Sequence, residues 1–132
     1  MIEKFLKRTE FSSYEDFMQN FKVQVPDRFN FAYDVVDVYA KESPEKEAIL
    51  WTNDRGYVRH YNYRELKEMS DKTASYFMQL GITRGDCVML ILKRRLEWWV
   101  VMLALHKIGA VVVPATHLLP DKDIIYRCHE AR

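Results

Sequence analysis

The sequence predicts an α/β fold: part of a doubly wound parallel sheet, built around a βαβ unit, with an antiparallel hairpin and flanking helices. Two short apolar runs, at 87–92 and 111–113, are typical of buried strands, and we expect the first to be covered on both faces. Between them, residues 96–108 are rich in good helix formers and stop at Gly109, a C-terminal cap. This spacing favours parallel strands joined by a right-handed crossover, with Pro114 closing the second strand.

The residues before this unit begin with a predicted N-terminal helical extension over 1–28. Ser13 precedes apolar residues at positions i, i+3, i+4 and i+7 in the segment 14–21, which is one stripe of a short helix capped by serine. Asn30 then starts a second helix that ends at Ser43 and Pro44. Its polar positions, Asp37 among them, are expected to face away from the core.

Two strands and two further helices complete the predicted elements. Residues 47–53 and 57–61 flank a turn with Gly56 where positive φ is needed, which indicates a hairpin with His60 as a surface pairing residue. Asn62 with Glu65 forms a capping box for the next helix. The expected buried stripes of that helix and of the last one are as follows: Leu66, Met69, Thr73, Phe77 and Leu80, and then Ile124, Ile125 and Cys128.

Composition limits the class of protein. The chain has 20 basic and 19 acidic residues, so nucleic acid is not an expected partner. Cys87 and Cys128 belong to no CxxC pair and are interpreted as reduced core thiols. The N-terminus has no apolar signal region, and the longest apolar run, at 98–105, is too short to span a bilayer. We therefore expect a soluble, cytoplasmic protein.

Motifs for metal binding, phosphate loops and catalytic triads do not occur in the sequence, so neither a metal site nor a catalytic residue is predicted. The remaining candidates for ligand binding lie at the predicted strand ends, where ligands of such sheets usually bind. These ends are the basic cluster of Lys93, Arg94 and Arg95, and the loop 116–119. The cluster is either a solvated first turn or an edge that faces an anion such as a phosphorylated cofactor. The neighbouring tryptophans, Trp98 and Trp99, are interpreted as core.

Several short motifs, in this order and spacing, resemble the N-terminal region of AMP-forming acyl-CoA synthetases, which belong to the adenylate-forming ligase superfamily. The motifs are Tyr61-Asn62-Tyr63-Arg64-Glu65-Leu66, the turn Gly81 with Arg84-Gly85-Asp86, Glu97-Trp98-Trp99, and Gly109-Ala110 with Pro114. The match runs from about residue 29 to 132 and is most like the medium-chain and acetyl-CoA synthetase branch. The resemblance implies that 29–132 is the N-terminal part of a larger, truncated AMP-binding domain.

The resemblance also implies a two-step reaction. A carboxylate, from acetate to a medium-chain fatty acid, attacks Mg-ATP to give an acyl-adenylate, and coenzyme A then takes the acyl group. ATP, Mg and coenzyme A are therefore expected for the full-length family member. In relatives the loop after the Gly-Ala strand lies near the coenzyme A nucleotide, which corresponds to Ala115, His117 and Leu118; acetyl-type relatives carry glycine where His117 stands.

The chain departs from the family pattern because it has neither the Ser/Thr/Gly-rich phosphate loop nor the catalytic lysine motif. We therefore expect the 132-residue chain alone to be inactive and its main partner to be the rest of a synthetase. Two alternatives remain open. One is a stand-alone, non-catalytic module that binds a nucleotide or a partner. The other is a structural piece that self-associates through an uncovered sheet.

Overall fold

The computed structural model describes residues 2–131 and contains two separate two-stranded sheets surrounded by helices. The elements from the hairpin onward are β1 (Glu47–Thr52), β2 (Val58–Asn62), α3 (Tyr63–Gln79), β3 (Cys87–Ile91), α4 (Leu96–Ile108), β4 (Val111–Ala115) and α5 (Asp121–Glu130). Strands β1 and β2 pair antiparallel, and strands β3 and β4 pair parallel. Helix α4 connects β3 to β4, so the predicted βαβ unit is confirmed.

The parallel pair is less buried than the sequence predicts. Its register runs from Cys87 opposite Val111 to Ile91 opposite Ala115, so Pro114 lies inside β4 rather than closing it. The expectation that β3 is buried on both faces is wrong, because among its residues only Leu90 is buried. With just two strands in this sheet over residues 2–131, much of each strand stays in contact with solvent.

The hairpin agrees with its prediction. Gly56 has φ of +76°, and the side chain of Asn53 accepts hydrogen bonds from the backbone N–H groups of Arg55 and Tyr57. These contacts fix the turn so that β2 begins at Val58. His60 lies on the exposed side and hydrogen-bonds Glu47 of the opposite strand, as expected for a surface pairing residue.

The N-terminal half contains four helical segments, namely a short 3-10 helix (Ile2–Lys4), α1 (Tyr14–Asn20), a π-helical segment (Ala32–Asp37) and α2 (Val38–Glu42). Ser13 caps α1 by accepting the Asp16 N–H, as predicted. The second predicted helix is divided, because its first part has π geometry instead of α geometry. The last residue of that segment, Asp37, contacts Lys107 of α4, so the expectation that Asp37 faces away from the core is wrong.

Helix α3 begins at the predicted capping box: the Asn62 side chain accepts the Glu65 N–H, and the Glu65 carboxylate accepts the Asn62 N–H, both at 2.9 Å. Its buried stripe is displaced from the prediction and consists of Leu66, Ser70 and Ala74. Leu80 is 60% exposed instead. The small residues at 70 and 74 let α4 pack closely, and the Ser70 hydroxyl donates to the Lys67 carbonyl, so no polar group is left unsatisfied there.

The main core lies where the π-helical segment, α3 and α4 meet. It contains Ala32, Val36, Leu66, Val100 and Leu103. Although α4 is apolar on nearly every side, it is not fully enclosed, since Trp99 is 52% exposed. Helix α4 therefore buries one face and presents another to the outside.

The last helix and the two thiols also differ from the predictions. Helix α5 has no buried residue, and Ile125 of its expected buried stripe is 57% exposed. Both Cys87 and Cys128 are exposed free thiols rather than core residues. Within residues 2–131, no helix combines the length and hydropathy needed to cross a bilayer.

Candidate functional site

A cleft opens between β1 of the hairpin and the carboxyl ends of β3 and β4. We call it the strand-end cleft, and its volume is about 590 Å³. Ends of parallel strands are the usual ligand edge of an α/β sheet, so this is where a site is expected. Its lining consists of Ile49, Leu50, Trp51, Thr52, Leu92, Lys93, Arg94, Arg95, Trp98, Trp99, Thr116 and His117.

The loop between β3 and α4 supplies the basic wall of the cleft. The N-cap of α4 is Arg95, which has extended backbone geometry and no side-chain hydrogen bond to the helix. The indole N–H of Trp51 donates to the Arg94 carbonyl at 3.1 Å. This bond joins the hairpin to the loop and leaves the Arg94 side chain available to the cleft.

The three cations meet little opposing charge. No ion pair within the described 2–131 region involves Lys93, Arg94 or Arg95, and no acidic residue lines the cleft. Carboxylates come nearest in two adjoining cavities, where Asp54 accompanies Lys93 and Arg94, and Glu97 accompanies Arg95. The cleft itself is therefore positively charged.

Aromatic side chains form the other wall. The rings of Trp98 and Trp99 meet edge to face with centroids 4.8 Å apart, an arrangement that holds both rings in fixed orientations. The interpretation of both as core residues is wrong for Trp99, which is 52% exposed and lines the cleft.

Only one of the three residues predicted for the coenzyme A edge lines the cleft. His117 lines the strand-end cleft beside the basic wall. Ala115 is the last residue of β4, half-buried and paired with Ile91. Leu118 is 78% exposed and is absent from the cleft lining. A role for these three residues at coenzyme A stays a prediction.

Sequence reasoning missed the contribution of β1. Trp51 belongs to a strand more than 40 positions before the basic cluster, and no local pattern connects the two segments. The only signal in the sequence was a large aromatic residue in a strand next to a turn. The hydrogen-bond partner of Trp51 depends on how the hairpin packs against α4, which the sequence pattern does not show.

A partly buried ion cluster lies at the C-terminal end of α4. The Lys107 side chain is only 2% exposed, and its ammonium lies 2.8 Å from an Asp37 oxygen and 2.5 Å from an Asp71 oxygen. Burial raises the pKa of the Asp71 carboxyl, but hydrogen bonds from Lys107 and Lys67 outweigh it and hold the pKa below its ordinary value. The cluster connects the π-helical segment and α3 to the C-terminal end of α4.

The resemblance implies magnesium, which prefers oxygen donors. Residues 2–131 contain no group of three or more His, Cys, Asp or Glu side chains placed to hold a metal ion. The cations and aromatic rings of the strand-end cleft fit phosphate and ring groups better than they fit a metal. No chemical step is derived through magnesium from these residues.

Known proteins resemble this chain in sequence and in fold. Residues 36–132 match the family of AMP-binding enzymes. The human acyl-coenzyme A synthetase ACSM3, a mitochondrial protein, is 38% identical over 128 residues, which cover 92% of this chain. The Klebsiella oxytoca NpsA N-terminal subdomain, solved in complex with anthranilyl-AMSN, superposes with a TM-score of 0.65 at 32% identity over 74% of this chain. A fatty acid AMP ligase from Legionella pneumophila, at 23% identity and a TM-score of 0.68 over 78% of this chain, shows the same fold.

These similarities define the chain as an α/β segment of the AMP-binding enzyme class. The chain belongs to the AMP-binding enzyme family, and the predicted resemblance to AMP-forming acyl-CoA synthetases is confirmed. It spans 22% of the length of the human relative, 24% of the NpsA subdomain and 18% of the Legionella ligase.

Proposed function

We propose that this chain acts as the N-terminal portion of an acid–CoA ligase. The ligase activates a carboxylate, from acetate to a medium-chain fatty acid, with ATP and transfers the acyl group to coenzyme A. Family membership and a human relative named as an acyl-coenzyme A synthetase support the reaction class. The observation that carries the role of this segment is the strand-end cleft, where a basic wall meets the loop that holds His117.

The residues of the cleft suit part of that reaction. ATP and coenzyme A supply the phosphoanhydride and the thiol when they are bound. The chain contributes fixed positive charge at the strand ends and a loop at their edge, which hold and orient a phosphorylated substrate. Ala115, His117 and Leu118 are proposed as the coenzyme A edge, with His117 the one that reaches the cleft.

This portion does not carry the chemical step by itself. The phosphate loop and the catalytic lysine motif of the family are missing from its sequence. We therefore propose that the rest of a synthetase chain is its main partner and that the isolated 132-residue chain has no ligase activity. Carboxylate-dependent ATP–pyrophosphate exchange by the purified chain would contradict this proposal.

The deciding experiment is performed on the native polypeptide. An antibody raised against the chain is used to purify the protein from source cells, and its size and its ATP–pyrophosphate exchange with a series of straight-chain carboxylates are measured. We expect a polypeptide several times heavier than 15.8 kDa that exchanges pyrophosphate in a carboxylate-dependent way. Preimmune antibody is the control.

A second candidate is a stand-alone, non-catalytic module that binds a nucleotide or a partner, and the cleft supports this as well. A native band at 15.8 kDa without exchange activity would favour it over the ligase. The third candidate, self-association through uncovered apolar surface, is supported by exposed residues such as Leu50 and Val111. Sedimentation of the chain as a monomer at high concentration would count against it.

We propose the cytoplasm as the compartment, because two exposed free thiols suit a reducing environment. The human relative is named as mitochondrial. Cell fractionation followed by blotting with the same antibody separates the two locations: signal in the mitochondrial fraction would overturn the cytoplasmic proposal.

A further inference from the structure

A second cavity lies outside the strand-end cleft, between one face of the hairpin and the start of α4. We call it the hairpin pocket, and its volume is about 340 Å³. Side chains alternate between the two faces of a strand, so the register that sets Trp51 opposite Arg59 puts both on the face that lines the pocket. The wall includes three aromatic residues, two arginines and one glutamate, namely Trp51, Tyr57, Tyr61, Arg59, Arg95 and Glu97.

One hydrogen bond holds the two sides of the hairpin pocket together. The indole N–H of Trp51 donates to the Arg94 carbonyl at 3.1 Å, which ties the hairpin to the loop that leads into α4. Arg59 belongs to β2, and Arg95 is the N-cap of α4, where its side chain makes no hydrogen bond to the helix. One guanidinium group therefore lines the pocket from the hairpin side and the other from the helix side.

These two guanidinium groups have no carboxylate partner in the described part of the chain. No ion pair within residues 2–131 involves Arg59 or Arg95, and Glu97 pairs with neither although it lines the same pocket. By contrast, the nearby Arg64 pairs with Glu45 at 2.6 Å. Two arginines against one glutamate leave the pocket with a net charge of +1. A guanidinium group matches a carboxylate with two parallel hydrogen bonds, so the pocket is complementary to an added carboxylate.

The aromatic residues give the hairpin pocket the composition of a protein interface. Tyr57 is 63% exposed, while Trp51 and Tyr61 are half-buried beside it. Tryptophan, tyrosine and arginine supply most of the binding energy at protein interfaces, because they combine a large rigid surface with a polar group. Small-molecule pockets span about 300–1,000 Å³, so this pocket is at the small end of that range. Its size suits one or two anchoring side chains of a polypeptide.

We propose that the hairpin pocket docks an acidic segment of a separate partner polypeptide. A carboxylate of the segment lies between Arg59 and Arg95, and a neighbouring apolar side chain packs on Tyr57. The observation behind the proposal is the pair of unneutralised guanidinium groups beside an exposed aromatic wall in one cavity. The proposal does not rest on the ligase function, since it concerns a surface outside the strand-end cleft.

Calorimetry with short peptides tests the pocket. The 132-residue chain is titrated with a peptide of alternating glutamate and leucine, acetylated and amidated at its ends, and with the matched glutamine–leucine peptide. We expect saturable binding of the glutamate peptide with a dissociation constant below about 1 mM and at least about tenfold weaker binding of the glutamine peptide. A glutamine peptide with a free C-terminus distinguishes a chain-end carboxylate from a side-chain carboxylate. Failure of every carboxylate peptide to bind, or equal binding of the fully neutral one, would overturn the proposal.

The matched variants are Arg59→Gln and Lys93→Gln, which each remove one exposed cation. Arg59 lines only the hairpin pocket of these two cavities, and Lys93 lines only the strand-end cleft. The dissociation constant of the glutamate peptide should rise about tenfold in Arg59→Gln and stay unchanged in Lys93→Gln. An equal rise in both, or a rise in Lys93→Gln alone, would place the peptide elsewhere and overturn the proposal.

A second variant, Tyr57→Ala, keeps the test decisive if Arg59→Gln does not fold. The turn contacts of Tyr57 use its backbone N–H and carbonyl, so they remain in the variant. Affinity for the glutamate peptide should fall by about threefold to tenfold through the lost apolar contact. Unchanged affinity would contradict the aromatic wall, and circular dichroism confirms that each variant is folded.

Two other occupants are outcomes of the same experiments. If the 132-residue chain binds the peptide and a longer native polypeptide does not, another part of that polypeptide fills the pocket. If the chain sediments as a dimer and Arg59→Gln as a monomer, a second copy fills it. Either result would overturn the separate partner. Pyrophosphate exchange by the native polypeptide without peptide binding would refute only this proposal, and peptide binding without exchange would refute only the ligase function.

Discussion

Replacing Lys107 with methionine should destabilise the fold strongly, because it leaves two carboxylates without their shared cation. The Lys107 side chain is 2% exposed, and its ammonium contacts Asp37 at 2.8 Å and Asp71 at 2.5 Å. Removing one member of a buried ion pair costs about 3–5 kcal/mol. The Asp71 side chain is 41% exposed and remains partly solvated, so we expect a loss at the lower end, about 3 kcal/mol.

The matched control is Lys67→Met on the same carboxylate. Lys67 also lies 2.5 Å from Asp71, but both side chains are 41% exposed. Exposed pairs contribute about 0.2–1 kcal/mol, so this variant should lose no more than about 1 kcal/mol. Urea denaturation followed by circular dichroism gives the free energy of unfolding of both variants and of the unmodified chain. Equal losses of unfolding free energy in the two variants would refute the argument that burial makes Lys107 the more important partner of Asp71.

The pH dependence gives a second check. The pKa of Asp71 is lowered in the folded chain, so its stabilising contribution is present above the unfolded pKa, about 3.9, and disappears as pH falls through the folded pKa. Without Lys107 this contribution is largely lost. The difference in stability between the unmodified chain and Lys107→Met should therefore be greatest near neutral pH and narrow below about pH 4. A stability difference that stays constant with pH would mean that lost packing, not lost charge, causes the destabilisation by Lys107→Met.

Three further changes follow from local contacts. Asn62→Ala should cost about 1 kcal/mol of unfolding free energy by removing the capping box, while Asn62→Asp retains an acceptor and should lose less; equal losses in urea would contradict this. Gly109→Ala should lower the free energy of unfolding by about 1–2 kcal/mol, because φ at this position is +81°. The loss should exceed that of Gly56→Ala, since the new Cβ at 109 would lie 3.1 Å from an arginine side chain, whereas the space at 56 is open. Both Cys87 and Cys128 should react with a thiol reagent in the folded chain, and a count of one or none would contradict their exposure.

Much of the local structure could be predicted because its causes are local. The capping box at Asn62, the turn at Gly56 and the cap at Gly109 depend on residues a few positions apart, and each has the predicted geometry. The parallel pairing of β3 and β4 also followed, since a crossover helix between two short apolar runs leaves few other arrangements.

Burial was predicted less well. The buried stripe of α3 includes Ser70 and Ala74 because close packing with α4 selects small residues. The apolar pattern of a single helix does not show which positions must be small. Cys128 was expected in the core and is exposed. Periodicity shows which residues share a face, but the amount of covering surface depends on neighbouring elements.

The sequence by itself determined the order of the elements, their caps and turns, and the family motifs that residues 36–132 share with AMP-binding enzymes. It also predicted that Lys93 and His117 lie at one edge of the sheet, since the carboxyl ends of parallel strands lie on the same side. Only the tertiary structure decided that Trp51 closes the cleft and that Trp99 faces it. The contact between Asp37 and Lys107 is likewise a result of the tertiary structure. These outcomes depend on contacts between segments tens of residues apart, which local patterns do not encode.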